Sequence, residues 1–344
     1  MKMQLDESLV TIKPSFRISA IMSERYKRKA FKSISSISNA LSKATKGETQ
    51  KQIDGMLAKL KLFSISSAFY SYNSRLVNSL TKLKNINQTQ DILDDLSAQD
   101  INHLISYYPR ITNLDTYDFA LDFSMDTVND YKKINPDRDA SIFPVSKIDF
   151  EKNIEIIYQA ISVLKTEKMH PFYEEICNYV SDIIIFDGTN ISGGTSSRFM
   201  GSVFIRIPKI QKENKSGHTM VTHLTPLLYY LEQLIHETAH LHLDHLMEFD
   251  PIILNDENEK FDSPLRIDKR PMRGVFHATF VLARLKILFS ILNNLSKQDE
   301  ALKHKRLLTI QNLLNDGIST IKNYAALTQN GEKLLSEMTQ ITLA

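Results

Sequence analysis

Cysteine is almost absent from this chain: Cys177 is the only one in 344 residues. An internal disulfide and a cysteine-rich zinc site are thereby excluded. A lone cysteine of this kind is expected as a small buried apolar residue. An excess of charge is lacking too, since 42 Lys+Arg against 40 Asp+Glu leave a net +2. No global field therefore points to nucleic acid or to an anionic membrane as partner. The opening stretch, MKMQLDESLV, lacks the apolar core of a secretory signal. The strongest apolar run, VFHATFVLARLKILFSIL, is interrupted by Arg284 and Lys286 and reads as a core helix, not a membrane span. There is no repeat of fixed period and no low-complexity tract. The expectation is a cytoplasmic protein with no membrane and no nucleic-acid partner; no feature sets an oligomeric state.

What is present suits a globular chain with a sizeable core: 42% hydrophobic and 24% charged residues over a length sufficient for two or three packed units. Texture divides it. Residues 16 to about 108 carry apolar residues at three- and four-residue spacings and read as helical. Residues 109–150 hold Pro, Asp and Asn without periodicity and read as a long connection. Helical pattern returns from Phe150 to about Val180. Two short β-like runs follow, DIIIFDG (182–188) and GSVFIRIP (201–208), with the polar, glycine-containing loop TNISGGTSSRF between them. From Thr222 the pattern is helical again, apart from a loop at 251–273. The C-terminal stretch predicts a helical hairpin punctuated by Gly317 and Gly331. The expected fold is mainly α with a small β-sheet (α+β). Its expected parts are a helical N-terminal region over 1–150, a metal-binding catalytic core over 151–297, and C-terminal helices packed on it over 298–344.

The chemistry concentrates in LEQLIHETAHLHLDHL (231–246), with four histidines between His236 and His245. HETAH is an HExxH motif on a strongly helical segment. Positions i and i+4 lie one turn apart on one face, so His236 and His240 can bind one metal together. Glu237 projects to the side, where it can reach a metal-bound oxygen without being a ligand. His242 and His245 point to roughly the opposite side and are expected as solvated or capping histidines. HLD at 242–244 matches an HxD string, but that ligand pair needs a strand.

Two ligands do not make a site. The extension HExxHxxGxxH fails, because Leu243 and Leu246 occupy the glycine and third-histidine positions. Glu257 and Glu259 are carboxylate candidates in the polar loop NDENEKFD. His277, in PMRGVFHATFVLARL, is the stronger one, sitting among Val275, Phe276 and Phe280 in the first turns of an apolar helix. Three histidines would leave coordination positions open: zinc would favour hydrolysis, ferrous iron oxygen chemistry. Just ahead, SPLRIDKRPMRGVFH places Arg266, Arg270 and Arg273 near His277. Arginine forks bind carboxylates bidentately, whether a peptide terminus or the distal carboxylate of 2-oxoglutarate. The strand GSVFIRIP, if it lies at a sheet edge beside the metal helix, can pair with an extended peptide.

At this point the residues resemble a known family. SPLRxDxRPxxGVFH, 30-odd residues after HExxH, is similar to the HExxH-motif peptide-modification proteins, which accompany ribosomally made peptide natural products. Some members are described as 2-oxoglutarate-dependent peptide β-hydroxylases. GGTSSRFMGSVFIRIP also resembles that family's small-residue loop and strand ahead of the metal helix. The resemblance covers about 190–285, and Lys269 stands where many members carry proline. It implies a zincin-like metal helix, Fe(II), 2-oxoglutarate and dioxygen, with a precursor peptide as substrate. Carried over, it makes His236, His240 and His277 the iron ligands and Arg270, then Arg266, the holder of the cosubstrate carboxylate. Ser196 or Ser197 would add a hydrogen bond, and Glu237 would orient water or a ligand. A zinc metallopeptidase with Glu237 as general base, and a non-catalytic helical binding protein with a structural metal site, are the other two readings.

Overall fold

A computed structural model describes residues 7–26, 28–29, 32, 120–122, 142–180, 182–188, 191–195, 201–208 and 224–343. The helical reading of 33–108 lies outside these, as do Ser196, Ser197 and Arg198. The chain is mostly helical with small sheets, which agrees with the expected mainly α class. In chain order, helices α1 (Lys147–Leu164) and α2 (His170–Tyr179) lie between the first two strands of the main sheet and its last three. Helices α3 (Pro226–Met247), α4 (Met272–Ile291), α5 (Lys297–Tyr324) and α6 (Gln329–Leu343) follow them.

Among the described residues the main sheet has five short strands. Its centre is β3 (Asp182–Gly188), whose Ile183, Ile184, Ile185 and Phe186 are all buried. An unbroken buried run is what a strand covered on both faces requires. One edge of β3 pairs in parallel with β5 (Ser202–Arg206). The other is covered in tandem, first by β1 (Ala120–Asp122) and then by β2 (Ile142–Pro144). The stretch 109–150, read as a bare connection, therefore contributes two strands. On its far side β5 pairs with β4 (Gly193–Gly194), through Gly193↔Ile205 and Gly194↔Phe204. GSVFIRIP is thus an inner strand at Phe204 and Ile205, where β4 lies outside it, and not the free edge that pairing with a peptide would use.

Local chemistry sets the helix starts. Thr225 caps α3 by accepting from the Leu228 amide, and Pro226 opens the first turn, where a missing N–H is harmless. Ser296 caps α5 through the Asp299 amide, and the Thr225 hydroxyl donates to Asp299 Oδ1 at 2.6 Å, tying the two starts together. Two expectations about the C-terminal part need correcting. Gly317 lies inside α5 and breaks nothing. A Cβ there would stand 2.2 Å from Thr279 Oγ1, so this glycine lets α5 approach α4 closely. The loop 251–273 holds a two-stranded sheet, β6 (Phe261–Ser263) against β7 (Arg266–Arg270), running directly into α4.

Helix α4 is long and apolar enough to cross a membrane by length and composition, but most of it is packed inside the fold. Its buried arginine has charged and polar partners there. Arg284, fully buried, pairs with the equally buried Glu175 of α2 and donates to the Ile12 carbonyl at 2.9 Å. Cys177 is half-buried.

Candidate metal centre

Helix α3 is buried along nearly its whole length, which is why its sequence is apolar almost all round. From Leu228 to Leu246 the partly exposed positions are His236, His240 and Asp244. They stand at i, i+4 and i+8 and form one polar stripe on an otherwise enclosed helix. Helix α4 crosses beside it and brings in His277. The His277 and His240 rings stack with centroids 5.6 Å apart, and their Nδ1 atoms approach to 3.3 Å. The His236 ring meets that of His240 at 5.0 Å in a T-shaped contact. The three histidines proposed as ligands therefore form one continuous cluster.

Their protonation suits metal binding. Burial holds His236 and His277 well below the usual imidazole range, and the neighbouring His240 pushes both the same way. Neutral imidazoles with lone pairs available are what a divalent ion needs. Two nitrogens each about 2.1 Å from one ion stand roughly 3.0–3.4 Å apart. The His240–His277 separation of 3.3 Å falls in that range, although an N–H···N hydrogen bond has the same length. His236 Nδ1 is buried without a hydrogen-bond partner. Among the described residues no three His, Cys, Asp or Glu side chains already stand at metal-binding positions. The donor chemistry thus fits, with two of the three imidazoles at ligand spacing and the third in ring contact.

Glu237 is buried, with Oε1 4.0 Å from His236 Nε2. It faces β4, where a Cβ on Gly193 would lie 2.6 Å from Glu237 Oε1, 2.9 Å from Gln233 Oε1 and 3.0 Å from the Phe204 carbonyl. Glycine at 193 is what lets the edge strand lie against α3. Gly193→Ala is expected to displace Glu237 and Gln233 and to destabilise the chain by about 1–3 kcal/mol, the usual result of overpacking. Denaturant unfolding measures this; an unchanged midpoint would mean that β4 packs more loosely on α3 than the structure has it.

Neither a family model nor a curated protein matches the chain.

The arginines are placed unequally. Arg270 ends β7, half-exposed and paired with Asp268 at 2.7 Å, and Arg266 is exposed at the strand's start. Arg273 lies one turn ahead of His277 on α4, with Nη2 3.9 Å from Asp244 Oδ1. Its charge also helps to keep His277 neutral. Glu257 and Glu259 are exposed. A further arginine, Arg306 of α5, was not singled out in sequence. It makes a buried two-pronged pair with Glu232, at 2.7 and 2.6 Å, one turn before His236 on α3. Its acidic partner four residues ahead of HExxH was the available signal.

His242 and His245 overturn the solvated expectation, for both are buried. His242 Nδ1 accepts from the Tyr179 hydroxyl at 2.9 Å, and Nε2–H donates to the Thr11 carbonyl at 2.9 Å. Burial lowers its pKa to about 4. This neutral tautomer has both nitrogens occupied away from the stripe. His245 packs its ring on Tyr179 at 4.5 Å and donates from Nδ1 to the Leu241 carbonyl. Their apolar neighbours, Leu241, Leu243 and Leu246, carried the hint of burial.

Proposed function

We propose that this chain is an iron(II)- and 2-oxoglutarate-dependent hydroxylase acting on a Cβ–H bond of a residue in a ribosomally made precursor peptide. The observation that carries the reading is the 3.3 Å approach of His277 to His240, with Arg273 one turn ahead of His277 on the same helix. It joins the HExxH helix to the arginine-bearing segment whose string resembles the HExxH-motif peptide-modification proteins.

In this reading His236, His240 and His277 hold the ion through neutral imidazoles. Bound iron(II) would couple dioxygen and 2-oxoglutarate to give carbon dioxide, succinate and a hydroxylated substrate. The chain's own residues do the rest. Burial keeps the His236 and His277 imidazoles unprotonated. An arginine fork holds the distal carboxylate of the cosubstrate: Arg270 and Arg266 are the choices from the motif, and Arg273 is the one beside His277. Glu237 acts on bound water or on His236 from its buried position. Ser196 and Ser197 are proposed as additional donors to the cosubstrate. A cytoplasmic location, with neither a membrane nor a nucleic acid as partner, belongs to the same proposal.

A zinc metallopeptidase is the second reading, and the buried Glu237 carboxylate beside His236 favours it. There Glu237 would take the proton of the attacking water.

The two differ in what they consume. Reconstitution with iron(II) under anaerobic conditions, followed by 2-oxoglutarate and oxygen, is expected to release succinate above a metal-free control. The matching peptide should gain one oxygen and stay uncut. Zinc-dependent cleavage of the peptide, without oxygen-dependent succinate, would replace this reading by the peptidase.

A further inference from the structure

The stripe on α3 carries one residue that neither reading uses. Asp244 stands four residues after His240 and eight after His236, and its Oδ1 lies 3.8 Å from His277 Nε2. The same nitrogen lies 3.2 Å from Met247 Sδ. Both neighbours of Nε2 are acceptors, the carboxylate a strong one and the thioether a weak one. On the other side of the ring, Nδ1 faces His240. An imidazole between an acceptor pair and a candidate ion puts its hydrogen on the acceptor side. Its free lone pair then points at the ion.

We infer that Asp244 is a positioning residue for His277: with Met247 it keeps the hydrogen on Nε2 and so presents Nδ1, the nitrogen facing His240, as the ligand. Arg273 completes the arrangement by standing 3.9 Å from the same carboxylate oxygen. The arrangement runs arginine, carboxylate, imidazole, and it joins the last turn of α3 to the first turns of α4. This also explains an acidic residue on a helix face that is otherwise enclosed. The carboxylate acts through His277 and touches no reacting atom.

The metal part of this inference rests on the metal-centre reading; the tautomer part does not. Two measurements on the full chain separate them. In the metal-free protein labelled with 15N-histidine, two-bond proton–nitrogen correlation is expected to show His277 protonated at Nε2 and bare at Nδ1. The His277→Gln variant identifies the signal. Asp244→Ala should convert His277 to a mixture of tautomers, whereas the near-isosteric Asp244→Asn, which keeps an acceptor, should retain most of the original form. Zinc affinity, by competition with a chromophoric chelator, should fall about 10- to 100-fold in Asp244→Ala, with Asp244→Asn in between. A native His277 carrying its hydrogen on Nδ1 overturns the inference. So does an Asp244→Ala variant with native tautomer and native affinity, or equal affinity losses in both variants without a tautomer change. If the wild-type chain binds no zinc yet Asp244→Ala scrambles the tautomer, Asp244 keeps its role and the metal reading falls.

Discussion

Replacing His240 with alanine is expected to abolish stoichiometric binding of a divalent metal, and His236→Ala and His277→Ala should each do the same. His240 is central to the cluster: it contacts the rings of both other histidines, and its Nδ1 stands at ligand spacing from His277. Removing one of three ligands should weaken binding by more than about 100-fold, the upper end for loss of a mere supporting partner. His242→Ala and His245→Ala form the controls. Both rings are buried, and the recorded contacts of His242 with Tyr179 and Thr11 and of His245 with Leu241 lead away from the stripe. These two variants should lose stability and keep the metal. Metal analysis of the five purified proteins decides it. Full occupancy in His277→Ala would remove the third ligand and reopen Glu257 and Glu259.

The second large effect is on folding. Glu175 and Arg284 form an ion pair in which both side chains are fully buried. The guanidinium also lies over the Phe172 ring at 5.6 Å, and burial alone pulls its pKa down to about 9. Taking either partner away leaves an uncompensated charge in the core. Arg284→Met and Glu175→Leu are each expected to destabilise the chain by about 3–5 kcal/mol. The double variant should recover most of that loss, since a buried pair replaced by apolar residues of similar volume is often close to neutral. Denaturant unfolding of the three variants tests this. Additive losses in the double variant would mean that the two side chains are not coupled energetically and that an uncompensated charge is not the cause of either single loss. The surroundings explain why the site is so dependent on partners. His242 Nδ1 is 3.5 Å from Glu175 Oε1, and the segment Thr11–Ile12 is held by His242, Arg284 and Glu337 together. The N-terminal segment is thereby fastened between α3, α4 and α6.

Much of the candidate site was legible because its signals are local. A spacing of four places His236 and His240 on one helix face whatever surrounds them, and an apolar run around His277 makes that residue at least partly enclosed. The strands 182–188 and 202–206 announced themselves by runs rich in β-branched and aromatic residues. The misreadings have a common physical source in long-range packing. Polar character at His242 and His245 suggests water, yet both rings pack on Tyr179 of α2, a helix distant in sequence. Gly317 looks like a break but serves a close helix crossing. Strands as short as β1, β2 and β4 carry no periodicity and exist only because β3 and β5 offer them an edge.

The amino-acid sequence by itself therefore determined the helical class, the central strands, and the HExxH stripe with its candidate third histidine. These depend on periodicity and composition within a single element. The tertiary structure alone decided that α4 lays His277 against His240, and that Arg273 pairs with Asp244 of the same stripe while Arg270 pairs with Asp268. It also decided that Asp244 faces His277 Nε2. The physical reason is that ligand spacing and charge pairing are distances between elements. Those distances are set by how the helices pack on one another, with Gly317 at the close approach of α5 to α4 and the buried Glu175–Arg284 pair linking α2 to α4.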